Sequence, residues 1–478
     1  MKIRTQTLKP AALTPALLAG ALALLAGGPL HADGWPSFRG VGAQGLATDQ
    51  ELPVSWQVES GKNIRWRVDV PGLGHSSPIV WGDRVYLTTA VADAQKDLTL
   101  GDEGGISMVD DDKNHRFLLL AFDRKSGAEV WRKEVTAGVP KVKRHVKASQ
   151  ANSTPATDGN VIAAIFGSEG LYVFDMDGKL KWKKDLGILD PGLFGTKDSQ
   201  WGYASSPLVV ENKVVVQVDR HEASYVAVYN AADGKELWKV DREERPGWAT
   251  PTFHDGHGRK ELIVMGGFYI RSYDLDSGKE LWRFSDDAQV KTPTPFVAGD
   301  QVILAGGYRA RPILAVAAGQ TGDLSAPADA PSGEYLRWRS EPGGPYTTTP
   351  LAYGDKLFSV TDKGILNVYE LKTGERLHRV RTDEHFSASP VAADGKLYFA
   401  GEGGELLVIK ADESLEILAR NDFGEACMAT PAIADDTLFV RTTRALYAIA
   451  DIQPPTEAPA PAAPKAANPK PATEASGR

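Results

Sequence analysis

Nine side chains of this sequence have the chemistry of a binding site and lie at comparable points of a repeating pattern. Each stands shortly before a Ser-Pro or Thr-Pro pair, or in a turn or linker on the same side of the repeat: His145, Trp201, Tyr203, Arg220, Trp248, Lys291, Arg309, Tyr346 and His385. Indole and phenol rings bind apolar and ring-shaped groups, and cations bind carboxylates. Such residues converging on a concavity are typical of a ligand or partner site, although they can also only fill and solvate a channel mouth. The pattern therefore predicts a cationic and aromatic binding surface if the fold brings these residues together.

Motifs of known catalytic chemistries are missing from the chain. It contains no HExxH, GxSxG, phosphate-binding loop or CxxC motif. The acid-rich stretch at 109–114 does not continue with the ligand spacing of a calcium loop. Cys427 is the only cysteine and lies among small and apolar residues, which is typical of a buried side chain. We therefore predict no catalytic residue, no metal site and no cofactor.

A ten-residue pattern indicates what positions the nine residues. It reads FDRKSGAEVW at 122–131, YNAADGKELW at 229–238, YDLDSGKELW at 273–282 and YELKTGERLH at 369–378. A Ser-Pro or Thr-Pro pair recurs in step with it, at Pro78, Pro155, Pro207, Pro251, Pro295, Pro350, Pro390 and Pro431. Each interval holds four short apolar segments separated by turn residues, which predicts four strands per unit. Units of this length with four strands are typical of propeller blades.

The number of units and the way the ring closes can also be read from the sequence. Eight first strands are present, but the last unit, 429–451, ends after three strands. The segment NIRWRVDV at 63–70 has the character of a fourth strand, with Trp66 where the repeat places its tryptophan. We therefore predict an all-β, eight-bladed propeller over 63–451, closed by an N-terminal strand so that no sheet edge is left open. Blades six and seven lack the tryptophan.

The remaining segments predict export and little further structure. Residues 1–32 combine a basic start, an apolar run and a small-residue cleavage site, as in a signal peptide. Residues 33–62 form a lead segment, 91–116 an acidic insertion in blade one, and 315–335 an extension of blade five. The tail 452–478 is rich in Pro and Ala, which predicts disorder. The formal charge of −8 argues against nucleic acid as a partner, and after signal cleavage no apolar run is long enough for stable membrane insertion.

The repeat, with its Asp, Thr/Ser-Gly-Lys turn, tryptophan and Thr/Ser-Pro strand start, resembles the pyrroloquinoline quinone (PQQ) repeat. That repeat occurs in eight-bladed quinoprotein dehydrogenases and in the periplasmic propeller lipoprotein of the outer-membrane assembly machinery. The stretches GWPSFRGVGAQGLA and WGYASSPLVV look most like exported bacterial PQQ-like proteins. The resemblance implies a propeller and allows PQQ as a cofactor. The lone Cys427 disfavours it, since the dehydrogenases carry adjacent cysteines against the quinone.

Together these patterns predict a non-catalytic, exported binding or scaffold module of the bacterial envelope, periplasmic or secreted. Its partner would be an envelope protein, or a small anionic and aromatic ligand, held on the cationic and aromatic face. The alternative is a PQQ-linked or other oxidoreductase that uses the central funnel as its active site.

Overall fold

The computed structural model describes residues 34–102, 105–196, 198–286, 290–308 and 312–452. The predicted signal peptide, nearly all of the predicted tail, and Arg309 therefore lie outside the described residues. Within the described ranges the only helices are short 3-10 turns at Val41–Ala43 and Gly167–Glu169, and none could cross a membrane. Everything else regular is β-structure, as the strand-length apolar segments predict.

In the described part of the chain, eight antiparallel sheets of at least four strands form the blades. Blades one to four comprise Ile79–Trp81, Arg84–Ala92, His115–Asp123 and Glu129–Gly138; Ala156–Thr157, Val161–Ile165, Leu171–Asp175 and Leu180–Lys184; Leu208–Val210, Lys213–Val218, Ser224–Asn230 and Glu236–Arg242; Thr252–Gly256, Arg259–Val264, Tyr269–Asp274 and Glu280–Ser285. Blades five to eight comprise Phe296–Ala298, Gln301–Leu304, Leu314–Ala317 and Leu336–Arg339; Leu351–Tyr353, Lys356–Val360, Ile365–Glu370 and Arg376–Arg381; Val391–Ala393, Lys396–Ala400, Glu405–Lys410 and Ile417–Asp422; Ala432–Ala434, Thr437–Arg441, Ala445–Ile449 and Ile64–Asp69. The predicted eight-bladed fold is confirmed.

The predicted closure of the ring is confirmed as well. Ile64–Asp69 pairs antiparallel with Ala445–Ile449, so the outer strand of blade eight comes from the other end of the propeller sequence. Trp66 lies opposite Ala448 in this pairing and is buried. The closing strand therefore covers the edge that Ala445–Ile449 would otherwise expose.

The ten-residue repeat encodes both halves of the contact between neighbouring blades. The indole of Trp66 packs on Gly127, in the last hairpin turn of blade one, where an added Cβ would lie 2.7 Å from the ring. Its Nε1 donates to the Arg124 carbonyl at 2.9 Å. The same arrangement joins Trp182 to Gly234, Trp238 to Gly278 and Trp338 to Gly374. Tryptophan and turn glycine therefore recur together because these tryptophans pack on the glycine of the next blade.

A ring of hydroxyl groups joins the blades at the axis. The Ser or Thr before each strand-starting proline is held extended by that proline, and we call these eight residues the hydroxyl ring: Ser77, Thr154, Ser206, Thr250, Thr294, Thr349, Ser389 and Thr430. Six of their side-chain oxygens accept the backbone N–H of the ring member in the preceding blade at 2.9–3.0 Å. The Ser-Pro and Thr-Pro pairs therefore connect neighbouring blades as well as starting strands.

The lead segment crosses the lower end of the channel, the end away from the loops that enter the first strands. Trp35 bridges to Val80 of blade one, whereas Gln44 Nε2 donates to Val297 of blade five, on the opposite side of the ring. Between them the Arg39 side chain is fully buried and donates to main-chain carbonyls of its own turn and of blades six and seven. Burial lowers the pKa of Arg39 to about 9. This segment, predicted only as a lead, is a plug held by main-chain bonds to the blades and by the buried Arg39 guanidinium group.

The structure refines the two insertions predicted from the sequence, 91–116 and 315–335. Strands Arg84–Ala92 and His115–Asp123 pair along their full length, so the blade-one insertion spans 93–114, and part of it pairs with Arg144–His145 through Met108–Val109. The segment predicted to extend blade five leaves strand Leu314–Ala317 of that blade and returns to its strand Leu336–Arg339. Within it, Gly322–Asp323 also pairs parallel with strand Glu280–Ser285 of blade four, a contact that sequence order does not show.

Candidate functional site

A chamber of about 480 Å³ lies on the propeller axis between the plug and the upper loops. All members of the hydroxyl ring contribute to its wall, Phe38 of the plug lines it as well, and Gly101 and Asp102 of the blade-one insertion lie at its rim. Its volume is in the range of small-molecule sites, roughly 300–1,000 Å³. We refer to it as the axial chamber.

Three of the four predicted Trp and Tyr side chains, Trp201, Trp248 and Tyr346, meet at this chamber. Trp201 and Trp248 line it and stack, with ring centroids 5.8 Å apart and planes 30° apart. The His145 ring meets Trp201 edge-on at 5.5 Å. Tyr346 lines the chamber beside Tyr308, whose centroid is 5.9 Å away and which is 40% exposed. The mouth of the chamber is therefore an aromatic surface.

Tyr203 and Arg220, both predicted for this surface, do not line the chamber. Tyr203 is buried between blades two and three, with its hydroxyl donating to the Gln217 carbonyl. Arg220 donates to the Ile188 carbonyl. Sequence spacing could not show the direction of these side chains.

Lys291 and His385 also lie off the chamber wall, and Arg309 is outside the described residues. Lys291 is 1% exposed, and its ammonium group binds the Asp286 carboxylate and the Gly306 carbonyl. His385 lies beside Gly101 of the blade-one insertion. A Cβ added at Gly101 would lie 3.9 Å from the His385 ring. No described residue of the predicted set therefore places an unpaired cation in the chamber.

The cation that reaches the wall is paired within the protein, and the carboxylates there are paired or hydrogen-bonded. Lys147 Nζ binds Glu402 Oε1 at 2.5 Å, and Glu402 Oε2 accepts the Gly101 N–H. At the rim, Asp102 pairs with Lys363 at 2.6 Å. Asp362 accepts the backbone N–H groups of Tyr346 and Thr347, although burial raises the pKa of its carboxyl group. The mouth is therefore aromatic, and its cations are balanced.

The two histidines of the wall are held neutral. Burial is the largest cause that lowers the pKa of His75, to about 3, and the charges of Arg441 and Arg144 lower it further. Burial also lowers the pKa of His145. The His75 ring bonds to the Lys147 carbonyl and the His145 ring to the Gly105 carbonyl. Near neutral pH both imidazoles are structural hydrogen-bonding groups without charge.

The chamber wall does not suit a quinone cofactor with calcium. PQQ is a planar ring system with three carboxylates, whereas the only lysine of the described wall, Lys147, already binds Glu402. Among the described residues no three His, Cys, Asp or Glu side chains are placed to hold a metal ion. Cys427 is buried, which raises the pKa of its thiol to about 12, and its Sγ donates to the Arg441 carbonyl. The hydrogen-bond donors and the charge of the chamber wall therefore do not match PQQ, a tricarboxylate, bound above a calcium ion.

Sequence reasoning missed the hydroxyl ring and the plug as parts of the site. The Ser-Pro and Thr-Pro pairs were visible as a repeat, and their hydroxyl groups could have been placed at the axis from propeller geometry alone. The stretch GWPSFRG carries Phe38 and Arg39, but no local pattern shows that a segment before the first blade returns to the channel.

Comparison with known proteins agrees with the fold. The family model described as outer membrane protein assembly factor BamB matches residues 115–267, 222–325 and 266–458. The chain is 23% identical to BamB of Shewanella oneidensis over 299 residues, covering 60% of this chain and 71% of that protein.

Solved structures with the same fold include two kinds of protein. A europium-containing methanol dehydrogenase superposes with a TM-score of 0.64 at 12% identity, over 88% of this chain and 98% of that one. BamB from Moraxella catarrhalis superposes with a TM-score of 0.52 at 13% identity, over 76% of this chain and 97% of that one. At such identities the structures show a shared architecture alone.

Proposed function

Because the chain belongs to the PQQ-repeat family of the outer membrane protein assembly factor BamB, we propose that it is a non-catalytic scaffold of the bacterial envelope, located in the periplasm. It binds an envelope protein through the aromatic mouth of the axial chamber. The relative from Shewanella oneidensis carries the name of an assembly factor, which supports a role in bringing envelope proteins together.

One observation carries this proposal: aromatic rings gather at a rigid mouth whose described cations are already paired. Trp201, Trp248 and Tyr346 lie close to strand starts, so the blades fix their positions. Aromatic side chains on a rigid support lose little entropy on binding and are common anchors of protein interfaces. The paired cations and neutral histidines of the wall offer no poised base or nucleophile. Asp362, whose pKa burial raises, already accepts from the Tyr346 and Thr347 N–H groups and the Thr347 hydroxyl. The arrangement suits recognition of an apolar or aromatic segment of a partner.

The double substitution Tyr308→Ala with Tyr346→Ala tests this interface. We expect it to weaken capture of the envelope partner at least tenfold, or about 1.4 kcal/mol, because it removes two rings from the mouth. The measurement is quantitative mass spectrometry of envelope proteins retained by the purified, tagged protein, compared with the unsubstituted chain.

A matched control also replaces two large side chains by alanine, but at positions away from the mouth. Leu180→Ala with Leu418→Ala shortens two exposed side chains on the outer strands of blades two and seven, far from the mouth. This control should capture the partner as well as the unsubstituted protein. Equal capture by the mouth variant, with an unchanged melting temperature, would remove the mouth as the interface.

A further inference from the structure

The hydroxyl ring is rich in hydrogen-bond donors that the protein does not use. A Ser or Thr hydroxyl has one proton to donate and two lone pairs that accept. Six of the ring oxygens accept a backbone N–H from the preceding blade, as described above. Within the described residues, no ring hydroxyl donates its proton to another protein group. The axial chamber is therefore surrounded by O–H groups whose protons point to no protein acceptor.

Thr294 is a member of the hydroxyl ring whose side chain makes no described hydrogen bond. Its Oγ1 is buried and has no hydrogen-bond partner among the described residues, although the side chain lines the chamber. The residue is 1% exposed. A buried hydroxyl without a partner costs about 1–3 kcal/mol, so such a group calls for an explanation outside the protein's own atoms. Because Oγ1 itself has almost no accessible surface, a ligand oxygen in the chamber would supply the missing partner after a rotation of the Thr294 side chain, which lines the chamber.

The upper wall adds flat apolar area to this ring of donors. The stacked pair Trp201 and Trp248 and the ring of Tyr346 line the same chamber. The buried guanidinium groups of Arg39 and Arg441 lie outside the lining and donate to main-chain carbonyls and a serine hydroxyl. With Lys147 paired and both histidines neutral, the described wall offers a ligand no free cation.

We propose that the axial chamber binds an uncharged saccharide of one or two rings. Its hydroxyl and ring oxygens accept from the hydroxyl ring, and the apolar face of a sugar ring packs on Trp201, Trp248 or Tyr346. Neutral polar ligands of this kind combine many acceptors with flat C–H faces, which matches the two halves of the wall. The plug closes the lower end, so the ligand enters through the aromatic mouth. This ligand is separate from the protein partner proposed above.

Thr294→Val is the most informative variant. It keeps the shape of the side chain and removes a hydroxyl that has no described partner, so the folded protein should be at least as stable. If Thr294 donates to the sugar, its loss should weaken binding about three- to tenfold. Ser153→Ala is the control, because Ser153 Oγ is also buried without a partner but does not line the chamber.

The probes are maltose, cellobiose and lactose, with glucuronate as the anionic and choline as the cationic comparison. Binding is followed by titration calorimetry and by quenching of tryptophan fluorescence. We expect at least one neutral disaccharide to bind with a Kd of about 1 mM or tighter, to lose affinity in Thr294→Val and to keep it in Ser153→Ala. Binding of glucuronate or choline alone, an unchanged affinity in Thr294→Val, or no binding by any neutral sugar would overturn the proposal. Thr294→Val should leave capture of the envelope protein unchanged, so this proposal and the scaffold proposal fail separately.

Discussion

Deleting residues 33–70 is expected to open the ring and to abolish its cooperative unfolding. The deletion removes strand Ile64–Asp69, so Ala445–Ile449 becomes an exposed sheet edge, and Trp66 leaves its site on Gly127. It also removes the plug, whose Arg39 holds carbonyls of blades six and seven together. An open edge pairs readily with other chains. We expect association in size-exclusion chromatography and a strongly lowered melting temperature.

Two shorter deletions separate closure from plugging. Removing 453–478, which lies outside the described ring, should change neither the melting temperature nor the mass in solution. Removing 33–56 takes away Trp35, Arg39 and Trp56 but keeps the closing strand, so the protein should lose stability and stay monomeric. A 33–70 deletion that remains monomeric with an unchanged melting temperature would contradict the closure.

The second large effect is expected at Trp282 of blade four. Its side chain is 1% exposed, and its Nε1 donates to Glu261 Oε2 at 3.0 Å. Trp282→Ala opens a cavity and takes one donor from a fully buried carboxylate, so the free energy of unfolding should fall by about 3–5 kcal/mol. Denaturant unfolding followed by fluorescence and circular dichroism measures this loss.

Trp131 of blade one provides the matched control. It occupies the corresponding place in the repeat and packs on Gly178, but it is only partly buried and its Nε1 has no hydrogen-bond partner among the described residues. Trp131→Ala should therefore cost clearly less than Trp282→Ala. Equal losses at the two positions would show that burial and the Glu261 bond do not set the contribution of each tryptophan.

The fold could be predicted from the sequence because the residues that specify each blade lie close together in a short pattern that recurs along the chain. Each ten-residue pattern carries a turn glycine and a tryptophan, and Asp123 illustrates how the acid of the pattern accepts the N–H groups of its own turn. Trp66 could be assigned to the last blade because it matched the same pattern out of order. Blade number, strand number and closure followed from these residues alone.

The site could be predicted only in part, because its electrostatics depend on residues distant in sequence. Lys147 is balanced by Glu402, which lies 255 positions away, and no local spacing reveals such a pair. The aromatic residues were easier to place, since Trp201, Trp248 and Tyr346 precede strand starts and line the chamber, although Tyr203 precedes a strand start too and does not. Arg39 was missed because its role depends on a chain segment that returns across the channel.

Binding rather than quinone chemistry is the central claim, and one reconstitution measurement tests it most directly. The purified protein is incubated with PQQ and calcium, passed through gel filtration, and examined for the absorbance of retained quinone and for dye-linked alcohol oxidation. Because Lys147 is paired and Cys427 is a lone buried thiol, the account predicts no retained quinone and no oxidation. Stoichiometric quinone that stays with the protein and supports alcohol oxidation would contradict it and establish the chamber as an oxidoreductase active site.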